Sequence, residues 1–281
     1  MNEGAIGIFD SGVGGLTVLK QMLAHLPGER MIYLGDTARL PYGTKSRETV
    51  VRYSLRNAEF LLEHGVKCLV VACNTASALA LDALACRFPV PVVGVIAPGA
   101  AKAALATRRQ RVGVIGTVAT VRSRAYETAI RSVRGTIEVY SAACPLFVPL
   151  AEEGWIEDDI TLGVARRYLE PLARSGVDVL VLGCTHYPLL KTVIARVMGP
   201  NVLLVDSAEE VPAQVRRALP ECPRSFDDVD GRQGDTAGLP GGRRDRTALR
   251  VYLTDCSPHF LELSRRILEI PPEDVEYVDV G

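Results

Sequence analysis

The sequence predicts an α/β protein of two similar, pseudo-symmetric domains, each a mainly parallel sheet flanked by helices, with a functional site in the cleft between them. Three observations carry that expectation. Short unbroken apolar runs alternate with longer stretches of helical periodicity, the pattern of parallel strands covered on both faces. A cysteine-terminated segment occurs twice, as "GVKCLVVACNT" from Gly65 and "GVDVLVLGCTH" from Gly176. The polar clusters fall where apolar runs end, which is where open parallel sheets gather their ligands.

In chain order, Val/Ile/Leu-rich runs predict strands at Ile6–Phe9, Met31–Leu34, Cys68–Ala72, Val90–Ile96, Val112–Ile115, Ile137–Tyr140, Val177–Gly183, Val202–Val205 and Leu249–Leu253. Helical periodicity fills Leu16–Leu26, Arg47–His64, Arg122–Arg131, Ile160–Ser175 and His259–Leu268. The neighbours of the cysteine segments repeat too: "IGIFDSG" at Ile6 resembles "VGVIGTV" at Val112, and "PVVGVIA" at Pro91 resembles "NVLLVDS" at Asn201. The order strand, strand, cysteine strand, strand thus occurs twice, and such repetition reports architecture. The C-terminal strand and helix after Arg250 have no second copy and are expected to close the first sheet. The expected domains are therefore 1–97 with 208–281, and 98–207. The Gly-, Asp- and Arg-rich stretch Pro223–Arg246 offers little to bury and predicts a mobile surface loop.

A chain of 281 residues has ample apolar sequence for one large core or two. Its 32 Lys and Arg nearly cancel 33 Asp and Glu, and no dense basic cluster marks a nucleic-acid or membrane footprint. The expected partner is a small molecule. The first strand begins almost at Met1 without the basic start and apolar core of a signal peptide, and no apolar run is long enough for a bilayer, so a cytoplasmic protein is expected. Seven scattered cysteines point to reduced thiols. No CxxC occurs, and Cys184 and His186 lack the rest of a tetrahedral set, so no metal is expected.

Each polar cluster follows a strand. Asp10, Ser11 and Gly12 follow the first, Asp36 and the turn Pro41, Tyr42 and Gly43 the second, and Cys73, Asn74 and Thr75 the third. In the second copy, Thr117 and Thr120 follow its first strand, and Cys184, Thr185 and His186 its cysteine strand. Cys68, Cys86, Cys144, Cys222 and Cys256 read as small core hydrophobes. Cys73 and Cys184 differ, because a strand end that opens a helix offers amides and a dipole that favour thiolate.

Two facing thiols admit three readings. A redox disulfide would need sulfurs in contact, whereas the repeat places them on opposite walls. An acyl-transfer nucleophile with His186 as base leaves the other thiol without a role. Acid and base on opposite faces of one bound molecule uses both, and inversion at carbon demands that arrangement. Asn74, Thr75 and Thr185 would then donate to a substrate carboxylate, while Asp10 and His186 steer the protonation of the thiols.

The "GVGG" turn at Gly12–Gly15 lacks the glycine spacing of a dinucleotide fingerprint, Thr17 standing where the third glycine belongs. It reads instead as a close backbone approach to a small anion. Pyridoxal phosphate would need a Schiff-base lysine, and Lys20, Lys45, Lys67, Lys102 and Lys191 lie mostly in helix-like stretches away from the strand ends. No cofactor is expected.

With these residues assembled, "IFDSGVGGLTV", "GDTARLPYG", "ACNTAS", "GTVAT", "EEGW" and "GCTHYPLL" resemble, in order, the signatures of the glutamate racemases of the cofactor-independent aspartate/glutamate racemase superfamily. The resemblance covers Ile6 to Ser207 and weakens toward the C-terminus. It implies interconversion of L- and D-glutamate without metal or pyridoxal, supplying D-glutamate for bacterial peptidoglycan, in an enzyme that commonly dimerises. It further implies that Cys73 deprotonates the D-isomer and Cys184 the L-isomer, supported by Asp10, Glu152 and His186. Ser11 with Pro41, Tyr42 and Gly43 would hold the side-chain carboxylate, and Asn74, Thr75 and Thr185 the α-carboxylate. Glu152 enters through this resemblance alone, since on its own it reads as an exposed helix-end carboxylate. Aspartate racemase is the nearest alternative enzyme, and a two-domain amino-acid-binding protein the alternative outside enzymes.

Overall fold

The computed structural model describes residues 4–219, 249–255, 258–268 and 275–281. The loop expected at Pro223–Arg246, with Cys222 and Cys256, lies outside the described residues.

The chain opens with β1 (Ala5–Asp10), α1 (Leu16–His25), β2 (Met31–Gly35), α2 (Arg47–Glu63), β3 (Val66–Val71), α3 (Asn74–Leu79), α4 (Leu81–Arg87), β4 (Val92–Gly94) and α5 (Ile96–Ala106). It continues through β5 (Arg111–Gly116), α6 (Val118–Ser123), α7 (Ala125–Val133), β6 (Glu138–Ala143), α8 (Phe147–Glu152), α9 (Asp159–Arg174) and β7 (Val179–Gly183). After α10 (Lys191–Met198), β8 (Leu203–Asp206) and α11 (Ser207–Ala218) come β9 (Leu249–Leu253), α12 (Pro258–Leu268) and β10 (Val275–Tyr277).

Two sheets form, in the orders β10-β9-β2-β1-β3-β4 and β6-β5-β7-β8, with every pair parallel. The run β2-β1-β3-β4 repeats as β6-β5-β7-β8, so the duplication read from the cysteine segments is a duplication of topology. β1 and β7 are buried along their whole length, and β3 at all positions but Lys67, which is why they read as unbroken apolar runs. Apolar clusters cover both faces of each sheet. Ile6, Ile8 and Val70 pack under α1, α11 and α12, and Phe9, Leu69 and Val71 under α2 and α4. Ile115, Leu180 and Leu182 pack with α8, α9 and α10, and Val112, Val114 and Val181 with α5 and α7.

Each sheet reverses direction beside its first strand, the chain passing from β1 to β2 on one side and to β3 on the other, and likewise from β5 to β6 and β7. Beyond the carboxyl ends of β1 and β3, and of β5 and β7, the diverging connections leave a crevice. Both cysteines of interest stand there.

Two expectations need correction, and one strand was not foreseen. The apolar run Val90–Ile96 holds only the short β4, and Ile96 already opens α5, whose buried face is equally apolar. Arg122–Arg131 is two helices, broken at Arg124, whose φ of 56° lies in the left-handed region. The edge strand β10 escaped sequence reading because three residues carry no usable periodicity. Among the described residues no helix is long and apolar enough to cross a membrane.

Candidate active site

One cavity lies between the carboxyl ends of the two sheets. Its wall includes Ser11, Leu40, Pro41, Tyr42 and Gly43, then Cys73, Asn74 and Thr75 from the first half. Thr117, Val148, Glu152, Cys184, Thr185 and His186 face them from the second. The cavity volume is about 30 Å³. Among the residues expected at the site, Asp10 and Thr120 are buried behind this wall.

Cys73 caps α3: its Sγ accepts the Ala76 amide at 3.4 Å and its S–H donates to Ser11 Oγ at 3.5 Å. Burial, and then the nearby charge of Asp10, push this thiol up to about 12. At neutral pH it is a proton donor. Asp10 is fully buried, and burial raises its carboxyl above the ordinary range against the pull of His186. Its oxygens accept the Gly12 amide at 2.9 Å and the Thr185 hydroxyl at 3.4 Å, tying the first strand to the loop that carries the second thiol.

Around Cys184 the partners are of another kind. His186 Nδ1 stands 3.9 Å from Cys184 Sγ, and its Nε2 3.0 Å from Glu152 Oε1. Burial alone would depress the imidazolium, but the hydrogen bonds and charges of Cys184 and Glu152 outweigh it and hold His186 up at about 10. Glu152 ends α8 with its side chain 27% exposed, so it reaches inward from a rim that sequence alone reads as solvent. The two thiols are thus equivalent in topology and inequivalent in electrostatics.

A triangle of hydroxyls joins the halves. Thr75 Oγ1 lies 2.9 Å from Thr117 Oγ1 and 3.2 Å from Thr120 Oγ1, and Thr117 and Thr120 are 3.0 Å apart. Thr117 also caps α6 by accepting the Thr120 amide. Nearby, a Cβ on Gly43 would stand 2.6 Å from Thr117 Cβ, so only glycine lets the Pro41–Gly43 turn close against the second half. The Tyr42 hydroxyl turns away from the cavity, donating to Asp36 and accepting from Asn57. Asp36 is itself held by Arg39 and Thr254, so this network buttresses the turn from behind and leaves its backbone to face the cleft.

Within the Gly12–Gly15 turn, Gly14 and Gly15 come close to protein atoms, while Gly12 lines the cavity. A Cβ on Gly14 would meet Thr185 Oγ1 at 2.4 Å and His186 Nδ1 at 2.6 Å, and one on Gly15 would meet Asp10 Cβ at 2.3 Å. Gly14 thus lets the two strand-end loops interlock, and Gly15 lets the turn close over Asp10. Cys68 and Cys144 are buried, as expected of core thiols, whereas Cys86 is exposed on α4. Sequence reading missed Tyr126, whose hydroxyl holds Asn74 at 2.6 Å, because nothing in an amphipathic helix distinguishes that residue from core.

This geometry defines a class: a two-lobed α/β enzyme with a pair of non-equivalent thiols facing one small cleft. Residues 6–215 match the family model Asp/Glu/Hydantoin racemase. The chain belongs to that family and is an isomerase. A glutamate racemase of Geobacter metallireducens is 61% identical over 215 residues, 76% of this chain and 80% of that protein. A solved glutamate racemase isoform of Bacillus anthracis aligns with a TM-score of 0.87 at 35% identity, covering 99% of this chain and 98% of its own. That of Francisella tularensis, solved in complex with D-glutamate, aligns at 0.83 and 35% identity over 100% and 99% of the two chains.

Proposed function

We propose that this protein interconverts L- and D-glutamate by two-thiol proton transfer, with Cys73 and Cys184 on opposite faces of the α-carbon. The observation that carries the reading is the shared cavity: the two thiols, from equivalent positions of two like-ordered sheets, line one pocket. From L-glutamate, a Cys184 thiolate takes the α-proton, and the electron pair of the broken C–H bond spreads into the α-carboxylate. The Cys73 thiol then delivers its proton from the other face, leaving a Cys73 thiolate, a Cys184 thiol and D-glutamate. Turnover in the reverse direction starts from that state.

The resting electrostatics suit this sequence. Cys73, pushed up to about 12, is the poised acid. His186, held as a cation, is the counter-charge for a Cys184 thiolate, with Glu152 orienting its ring. Asn74, Thr75 and Thr185 are assigned to the α-carboxylate, and Ser11 with the Pro41–Gly43 turn to the side-chain carboxylate. Thr117 completes the wall beside Thr75, and Thr120 supports both hydroxyls from behind. The reaction needs no metal or pyridoxal in this scheme, and its product would feed peptidoglycan in the cytoplasm of a bacterium. A homodimer belongs to the same proposal, and light scattering of the purified protein tests it.

Enantiopure glutamate incubated with the protein in deuterium oxide gives the decisive measurement. The circular dichroism should decay to zero while solvent deuterium enters the α-position. A binding protein would leave both unchanged. Turnover on aspartate, measured alongside, separates the two racemase specificities.

A further inference from the structure

We propose that Tyr126 is a positioning residue that sets the two thiol loops against each other and turns the Asn74 carboxamide toward the substrate. Tyr126 lies on α7 in the second half and is only 2% exposed. Its hydroxyl donates to Asn74 Oδ1 at 2.6 Å and lies 2.6 Å from Ser207 Oγ. An amide oxygen can only accept, so the one phenolic proton goes to Asn74, and the Ser207 hydroxyl must donate to Tyr126. Burial pushes the phenol above its ordinary range, which keeps that proton in place.

Asn74 is the residue after Cys73. With its oxygen committed inward to Tyr126, the amide nitrogen is the end left for the cavity, whose wall includes Asn74. The other edge of the phenol ring meets the second thiol loop: a Cβ on Gly183, the residue before Cys184, would lie 3.0 Å from Tyr126 Cε2. One side chain therefore touches the residue after one thiol and the residue before the other. Ser207 packs closely against α5, where a Cβ on Gly99 would come within 2.7 Å of its Oγ.

The inference rests on the reading that Asn74 meets the α-carboxylate, and the experiment separates the two. Tyr126→Phe, Asn74→Ala and the double variant are compared for KM and kcat with each enantiomer of glutamate, with folding followed by far-ultraviolet circular dichroism. Losing the held orientation of a donor to a charged group should raise KM about tenfold in Tyr126→Phe, with kcat changing less. The double variant should be no worse than Asn74→Ala, because Tyr126 acts through that residue. If Asn74→Ala keeps the KM of the parent, the carboxylate reading fails, and this inference with it. If Asn74→Ala raises KM while Tyr126→Phe does not, or if the two losses multiply, the positioning role alone is overturned. Should Tyr126→Phe not fold, Ser207→Ala keeps the ring and the contact to Asn74 but loosens the phenol; KM should then rise about threefold, and an unchanged KM refutes the proposal.

Discussion

Replacing Glu152 with glutamine removes one negative charge 3.0 Å from His186 Nε2 while keeping a side chain of the same length. An opposite charge this close moves a pKa by about 1–3 units. Glu152 is 27% exposed, and solvent screening places the expected effect at the low end, about one unit or about 1.4 kcal/mol against the imidazolium. His186 should therefore titrate about one unit below its value of about 10 in the parent. The chain has four histidines, so imidazole-labelled protein followed by NMR through the alkaline range resolves them, and the signal absent in His186→Asn identifies the one of interest.

The same shift has a stability consequence. His186 is raised above its unfolded value of about 6.5, so its contribution is fully present below that pH and is lost as pH rises through about 10. In Glu152→Gln the loss should begin about one pH unit earlier, visible as alkaline unfolding at lower pH. Kinetically, the enantiomers are equal in energy, so kcat/KM must fall by the same factor in both directions, while kcat and KM separately can diverge. A parent His186 titrating in the ordinary histidine range, or an identical midpoint in the variant, refutes the electrostatic account of this half of the site.

Three further outcomes are expected. Cys73→Ala and Cys184→Ala should each abolish racemisation in a folded protein, and full turnover by either variant in the dichroism assay removes the two-base scheme. Alkylation of resting Cys73 by iodoacetamide, read by peptide mass spectrometry, should be slow at neutral pH and rise about tenfold per pH unit, because burial and the charge of Asp10 keep the thiol protonated; fast labelling at neutral pH contradicts this. Gly14→Ala places a methyl 2.4 Å from Thr185 Oγ1, and displacing the second thiol loop should cost about 100-fold in kcat/KM, whereas parental activity would show that the loop yields without consequence.

The sheets were legible because their strands are buried on both faces, so β1, β3 and β7 stand out without any periodicity analysis. The short helices at the site were not. α3 and α6 have six residues each, too few to display a 3.6-residue repeat, and both are specified by their caps, Cys73 and Thr117. Strand-end position picked out the loops at Asp10, Cys73, Thr117 and Cys184, yet it is blind to groups that enter from the side. Glu152 arrives from a helix end and Tyr126 from a helix flank, and each is recognisable only once the partner it holds is known. Gly14 reads from sequence as a backbone position alone, whereas its role lies in the side chains of Thr185 and His186, on a loop distant in sequence.

The cavity between the halves is narrow, about 30 Å³. Hydrogen bonds bridge the halves around it: Thr75 to Thr117, Tyr126 to Asn74, Thr185 to Asp10, and Thr17 to the Thr185 carbonyl all cross from one half to the other. Each is worth about 0.5–1.5 kcal/mol net, so these four bonds together contribute a few kcal/mol to holding the halves in register. Thr75 and Thr185, assigned to the substrate's α-carboxylate, are already engaged across the cleft. A carboxylate offers about four acceptor sites, so a bound one can take these hydroxyls as donors in place of their present partners.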